Sequence, residues 1–150
     1  MAERPTDMDD FLTQPMMARV ASTNKNGTPH CVPLWYKFNP GDGTFEISTG
    51  AESLTVKNLK RNPAISIVVD DQKPPYKGVT AEGTAEVSEP KGKDHEYFTP
   101  SIVHYLGQGA VEGYLKGVPG QKERVRITVQ PKRWKFWDTS VPKMGSIKLD

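Results

Sequence analysis

A single cysteine, Cys31, leaves this 150-residue chain without an internal disulfide framework or a cysteine-rich zinc site. Histidine is nearly as scarce, and His30, His95 and His104 are too scattered to read as a metal cluster. No apolar run approaches the roughly 20 residues that span a bilayer, which excludes an integral membrane protein. The stretch to Pro15 carries Glu3, Asp7, Asp9 and Asp10 and no hydrophobic segment, unlike a secretory leader, so a cytoplasmic protein is expected. An excess of one charge is also missing. Lys+Arg 20 against Asp+Glu 18 gives +2, too balanced for a protein that lives by gripping nucleic acid. Hydrophobic residues are only 35% and the mean hydropathy is -0.60, as in a small protein with much polar surface.

What is abundant is punctuation. Gly 13 and Pro 13 break the chain into many short elements, without a repeat or a linker, so residues 1–150 read as one domain with a flexible arm over 1–10. Residues 18–23 form a first strand, and Asn26-Gly27 signals a hairpin, because both residues accept positive φ. Residues 30–39 follow as a strand with Val32, Leu34, Tyr36 and Phe38 on one face and Cys31, Pro33, Trp35 and Lys37 on the other. A turn at Pro40-Gly41-Asp42-Gly43 returns the chain as a third strand over 44–49, completing a meander.

From Ser53 to Arg61 the pattern suits a short helix, stopped at Asn62-Pro63. Strands over 64–70 and 78–88 come next, then a helical region with Thr99-Pro100 as N-cap and first residue and Gly107 as its stop. A last pair of strands is expected over 123–130 and 133–137. The order of elements indicates an antiparallel barrel of about six strands and not a Rossmann fold. Gly107-Gln108-Gly109 lacks the preceding strand that a dinucleotide fingerprint needs.

The segment Ser48-Thr49-Gly50-Ala51-Glu52-Ser53, leading into Lys57, Lys60 and Arg61, has the parts of an anion site. Such a strand-to-helix junction points unpaired N–H groups outward, the helix dipole adds positive charge, and hydroxyls and cations complete a cage. The same residues also suit an ordinary capped helix with a solvated basic face.

The motifs in their order resemble the pyridoxamine 5'-phosphate oxidase-like split β-barrel family. The matching pieces are Asn26-Gly27-Thr28-Pro29-His30, Val32-Pro33-Leu34-Trp35-Tyr36, Ser48-Thr49-Gly50 with Ser53, Asn58-Leu59-Lys60-Arg61-Asn62-Pro63, Tyr76 and Glu82-Gly83-Thr84-Ala85-Glu86-Val87. Pro131-Lys132-Arg133-Trp134 with Trp137-Asp138 looks like the closing strand, so the resemblance covers about residues 11–138.

The resemblance implies a homodimer with a cofactor, FMN or the deazaflavin coenzyme F-420, in each groove between the protomers. The ring system would lie along Val32, Pro33, Leu34, Trp35 and Lys37, and the phosphate end near Ser48, Thr49, Ser53, Thr55 and Lys57. Asn58 and Trp137 complete the implied cofactor-binding set. Two departures stand out: Thr55 replaces a lysine of the family pattern, and Val32 replaces the arginine of true pyridoxamine phosphate oxidases. Full oxidase activity on that vitamer is therefore not expected.

Trp35 reads either as a dimer-interface aromatic or as a cofactor-stacking ring, and Trp134 and Trp137 read first as packing of a terminal strand, with stacking on a ring as the alternative. Cys31 reads as a small buried hydrophobe, and His30, His95 and His104 as turn, surface or capping residues. No side chain reads as a metal ligand or as a catalytic acid, base or nucleophile, which suits chemistry carried by a cofactor. The expected activity is a flavin- or deazaflavin-dependent oxidoreductase passing hydride to or from a small organic substrate. The alternative is a non-catalytic protein that binds or stores a flavin, deazaflavin or haem-like ligand.

Overall fold

A computed structural model describes residues 8–92, 98–117 and 123–139. The expected arm lies outside the described residues up to position 7, and Asp9–Leu12 forms one turn of helix, α1. The strands are β1 (Met17–Thr23), β2 (Pro29–Trp35), β3 (Lys37–Asn39), β4 (Thr44–Gly50), β5 (Ala64–Asp70), β6 (Lys77–Val87), β7 (Lys91–Gly92) and β8 (Glu123–Asp138). The helices are α2 (Leu54–Arg61), α3 (Thr99–Leu106) and α4 (Val111–Gly117), with one 3₁₀ turn at Gln108–Ala110.

All strand pairs are antiparallel and join in the order β2-β1-β5-β6-β8-β4-β3, with β7 added beside β8. The first and last strands of that order are consecutive in the chain, separated only by Tyr36, so the sheet curls back on itself as a split barrel. The order contains seven strands where about six were expected. Tyr36 divides the expected strand 30–39 into β2 and β3. Its N–H donates to the Tyr105 hydroxyl at 3.0 Å, and that hydroxyl's single proton is shared between the carbonyls of Met16 and Tyr36. A side chain from α3 thus serves the backbone groups that would otherwise pair in a ladder at the corner.

The expected final pair of strands is one continuous strand. Pro131 lacks an N–H but sits where the β6–β8 register shifts between Glu82 and Gly83, a bulge that tolerates it. The first hairpin also differs from expectation, because only Gly27 has positive φ, at 85°, and the Gly27 N–H reaches the Asn24 carbonyl at 2.9 Å. Thr99 is the first residue of α3 and not its N-cap, which is Phe98. Gly107 ends that helix at φ 87° as expected.

Period-two alternation drives the core together. Val20, Ile47, Ile67, Val69, Val79, Val125, Ile127 and Val129 are all essentially inaccessible and point inward with Phe45 and Tyr36. Trp134 packs edge-on to Phe38, with centroids 6.1 Å apart, and so belongs to the core side as expected. Helix α2 plugs one end with Val56 and Leu59. Its buried Asn58 donates to Ser22 Oγ at 3.2 Å and Asn24 Oδ1 at 2.9 Å, which ties the helix to the first hairpin.

Burial also holds two phenols neutral. Desolvation pushes Tyr36 and Tyr105 above the usual tyrosine range, while the N–H donated by Tyr36 partly offsets the shift at Tyr105. Both should stay protonated beyond about pH 10 in the folded protein and ionise near about pH 10 in denaturant. The stability they contribute is complete below about pH 10 and falls as the pH rises through their folded values. An ultraviolet tyrosinate titration with and without denaturant checks this. Coincident curves would contradict it.

Candidate functional site

The outward residues of β3, β4 and β8 form a continuous polar strip. Lys37 pairs with Glu46 across β3–β4, and Ser48 pairs with Arg126 and Gly50 with Arg124 across β4–β8. Alternation puts all of these on the outer face, since Phe45, Ile47, Val125 and Ile127 take the inner one. Helix α3 lies over the strip and leaves a groove of about 660 Å³, within the range of small-molecule sites. Lys37, Glu46, Ser48 and Arg126 lie on the sheet side, and Thr99, Pro100, Ser101, Val103 and His104 on the helix side.

The polar contacts of the strip are specific. Glu46 receives Arg126 Nη1 at 3.2 Å, Lys37 Nζ at 3.8 Å and Asn39 Nδ2 at 3.0 Å. Arg124 donates from Nε to Ser48 Oγ at 3.1 Å and from its terminal nitrogen to the Ser48 carbonyl at 2.8 Å. Its guanidinium lies 3.7 Å from the centroid of the Phe98 ring, a cation–π contact. The residue is 6% exposed, and desolvation pushes its pKa down to about 10, which leaves it a cation at neutral pH.

The helical segment is fixed over the strip by aromatic contacts. Trp35 stacks on Tyr105, with centroids 4.6 Å apart and planes 6° from parallel, and leans on Tyr114. Tyr114 in turn meets Phe98. One face of Trp35 is therefore taken up within its own chain, a role not among those expected for it.

Of the residues expected to hold a cofactor, Lys37 and Ser48 line the groove. Ser53 is the N-cap of α2 and accepts the Val56 N–H at 3.3 Å. Lys57 sits in the first turn, exposed, with Nζ 3.9 Å from Glu52. Others lie elsewhere. Thr49 shares the inner face with Phe45 and Ile47, and Thr55 and Asn58 are buried on the barrel side of α2, so these three side chains serve the fold. Val32 and Leu34 share the inward face of β2 with the core-facing residues they pair with, while Pro33 is exposed. Trp137 lies across from Gly78, separated from Arg124 by roughly 40 Å of extended chain at about 3.3 Å per residue. Within one chain it does not join Ser48. Cys31 is exposed and not buried, because β2 turns it to the outer face with Pro33. His95 lies outside the described residues, and His104 lines the groove, edge-on to Tyr105.

Sequence reasoning missed Arg124, Arg126, Glu46 and Tyr105. Alternation through Val125 and Ile127 already places both arginines on the outer face of β8. Their partners on β4 lie far away in sequence, so nothing local pointed to them. Among the described residues no group of three or more histidine, cysteine or acidic side chains could hold a metal, and no helix is long and apolar enough to cross a membrane.

Fold and groove together define a split-barrel protein with its candidate ligand site on the outside of the sheet. The chain belongs to the pyridoxamine 5'-phosphate oxidase family, whose model matches residues 5–138. Its fold is similar to that of a conserved hypothetical protein from Mycobacterium tuberculosis, at 23% identity and TM-score 0.72, covering 97% of this chain and 93% of that one. It is also similar to an F420 reductase, at 21% identity and TM-score 0.61, covering 88% and 98%. The general stress protein 26 of Bacillus anthracis is similar at 14% identity and TM-score 0.61, covering 89% and 97%. At these identities the likeness is one of fold. No curated sequence matches the chain.

Proposed function

We propose that the protein is a flavin- or deazaflavin-dependent oxidoreductase acting on a small organic substrate, with FMN or coenzyme F-420 as the cofactor. The observation that carries this reading is the polar strip. It runs along the outer face of β4 and β8 from Arg124 and Ser48 into the groove at Lys37 and Arg126, and the Ser53 cap of α2 follows β4 in the chain. Hydroxyl and guanidinium donors beside a helix start suit a phosphate, and the groove between sheet and helix suits a flat ring. Arg124 supplies a cation beside Ser48, while Thr55 stands in place of the family's lysine.

The residues in this reading bind and orient. Ser48, Ser53 and Arg124 hold the anionic end, with Lys57 adding charge from solvent. Helix α3, anchored by Tyr105 and Trp35, keeps water from one side of the groove. When bound, the cofactor supplies the hydride chemistry. Membership of the pyridoxamine 5'-phosphate oxidase family supports a flavin, and the similarity of fold to an F420 reductase supports the deazaflavin.

The working form in this reading is a homodimer with a cofactor site between the protomers. Met17, Tyr76, Leu106 and Phe136 leave 38%, 51%, 49% and 46% of their surface exposed in one chain, apolar area that a second copy can cover. Light scattering at micromolar concentration should give twice the 16.7 kDa chain mass, and the chain mass itself would count against the dimer.

Turnover separates an enzyme from a binder. Mixed with chemically reduced FMN or reduced deazaflavin under anaerobic conditions, the protein should speed return of the oxidised absorbance when a planar acceptor is added. Binding without any acceleration across a broad acceptor panel would favour a storage role.

A further inference from the structure

We propose that the outward face of α2, together with the hairpin tip at Lys25, docks the protein on an anionic lipid surface. The residues of α2 divide cleanly by chemistry. Thr55, Val56, Asn58 and Leu59 are buried, while Leu54, Lys57, Lys60 and Arg61 are exposed. At about 100° per residue those four occupy one arc of the helix. Three of them are cations, and Leu54 leaves 50% of its surface open. The first hairpin adds a fifth side chain. Asn58 Nδ2 donates to Asn24 Oδ1 at 2.9 Å, and Arg61 donates to the Thr23 carbonyl, which holds the β1–β2 turn beside α2. Lys25 is exposed at that turn.

Helix stability accounts for only part of this charge. Lys60 and Arg61 stand in the last turn, where cations answer the helix dipole. Lys57 stands in the first turn, where the dipole disfavours a cation, and Lys25 lies off the helix. Overall composition does not account for it either, since Lys+Arg 20 nearly balances Asp+Glu 18. Among the described residues, the carboxylate paired on this face is that of Glu52, 3.9 Å from Lys57 and 93% exposed. The four cations and Glu52 leave three positive charges on the convex back of a helix and a hairpin tip. None of these residues lines the groove under α3. Charges on long flexible stems beside one exposed aliphatic side chain suit a fluid layer of phosphates better than a shaped protein partner.

Each lysine or arginine near such a layer strengthens binding about fivefold, and the effect fades within a Debye length. Three charges and one leucine therefore give weak, reversible binding, seen at lipid concentrations on the order of millimolar. Co-sedimentation of the full chain with vesicles of phosphatidylcholine and phosphatidylglycerol, at about two to one, tests this against phosphatidylcholine alone. The protein should pellet with the anionic vesicles only, and about 0.5 M salt should release it. Lys25→Gln/Lys60→Gln should weaken binding about twentyfold, and Leu54→Ser should weaken it a few-fold. Lys116→Gln/Lys132→Gln removes the same charge from α4 and β8 and should leave binding within about twofold of wild type. All five positions are exposed, so the variants should fold, and their melting curves check that they do.

No pelleting with anionic vesicles, equal pelleting with neutral ones, or equal losses in the two double variants would overturn the proposal. So would soluble poly-glutamate that binds the chain more tightly than the vesicles do, a result that assigns the face to an acidic protein partner. Cofactor titrations of the same proteins keep this surface apart from the redox reading. A chain that binds a cofactor but no vesicle loses the lipid surface alone. One that binds anionic vesicles but neither cofactor keeps the surface and loses the redox reading.

Discussion

Replacing Arg124 by glutamine should weaken binding of FMN or the deazaflavin by about ten- to a hundredfold. Charge-assisted hydrogen bonds contribute about 1.5–3 kcal/mol each, and about 1.4 kcal/mol is a factor of ten in affinity. The guanidinium spans both the side chain and the carbonyl of Ser48, at 3.1 and 2.8 Å, under the Phe98 ring. Glutamine keeps a donor but loses the charge, the fork and the cation–π contact. The fold should lose about 1–3 kcal/mol as well, because contacts made by a nearly buried group go with it. Lys57→Ala should change affinity only a few-fold, since that side chain is 61% exposed and shares its charge with Glu52. Fluorescence titration of the two variants beside the wild type measures the contrast. Equal losses for both would mean that the anionic end is not held by Arg124.

Gly83→Ala should destabilise the barrel by about 3 kcal/mol, the upper end of the usual overpacking range. A Cβ at Gly83 would overlap the Gln130 carbonyl oxygen and crowd the Pro131 Cα. Both obstacles are backbone, on the strand that pairs with β6 and β4, and neither can swing aside. The melting temperature should fall by roughly 10 °C, given about 2–4 °C per kcal/mol for a chain of this size. Gly113→Ala provides the contrast. Its added Cβ meets nothing within 4 Å, and Gly113 lies inside α4, so helix propensity should make the change neutral or stabilising by up to about 1 kcal/mol. A Gly83 variant that melts with the wild type would show that the bulge is looser than its contacts require.

The strands β1, β4 and β5 were legible because their residues alternate cleanly, as Phe45, Ile47 and Thr49 do against Glu46, Ser48 and Gly50. Helix α2 was legible from Ser53 and from Asn62-Pro63, whose local chemistry fixes both ends. The break at Tyr36 was not, because alternation runs through it unchanged. What interrupts the ladder is the hydroxyl of Tyr105, 69 residues away. Pro131 misled in the opposite direction. A proline inside a strand normally ends it, and only the register shift opposite Gly83, where β8 carries the extra residue Lys132, shows that this one does not.

The site divides in the same way. Ser48 was readable from its place beside a glycine and a helix start, and Lys37 from its place on the face of the second strand opposite Tyr36 and Phe38. The inward turn of Thr49 was readable too, since it shares parity with Ile47, but the run of hydroxyls around it drew attention to chemistry instead of register. Arg124 meets Ser48 across 76 residues, a contact no local pattern encodes. The closure of the groove by α3 depends on Phe98, Tyr105 and Tyr114. In sequence, Phe98 and Tyr105 read, with Ile102 and Leu106, as the apolar face of an unplaced helix, and Tyr114 carries no reading.

The most direct measurement of the central claim is a fluorescence titration of the full chain with FMN and with coenzyme F-420, repeated on Arg124→Gln. Saturable binding of at least one cofactor, one per chain, that weakens about ten- to a hundredfold in the variant is the expected result. No saturable binding of either cofactor, or binding that the variant leaves unchanged, would contradict the account.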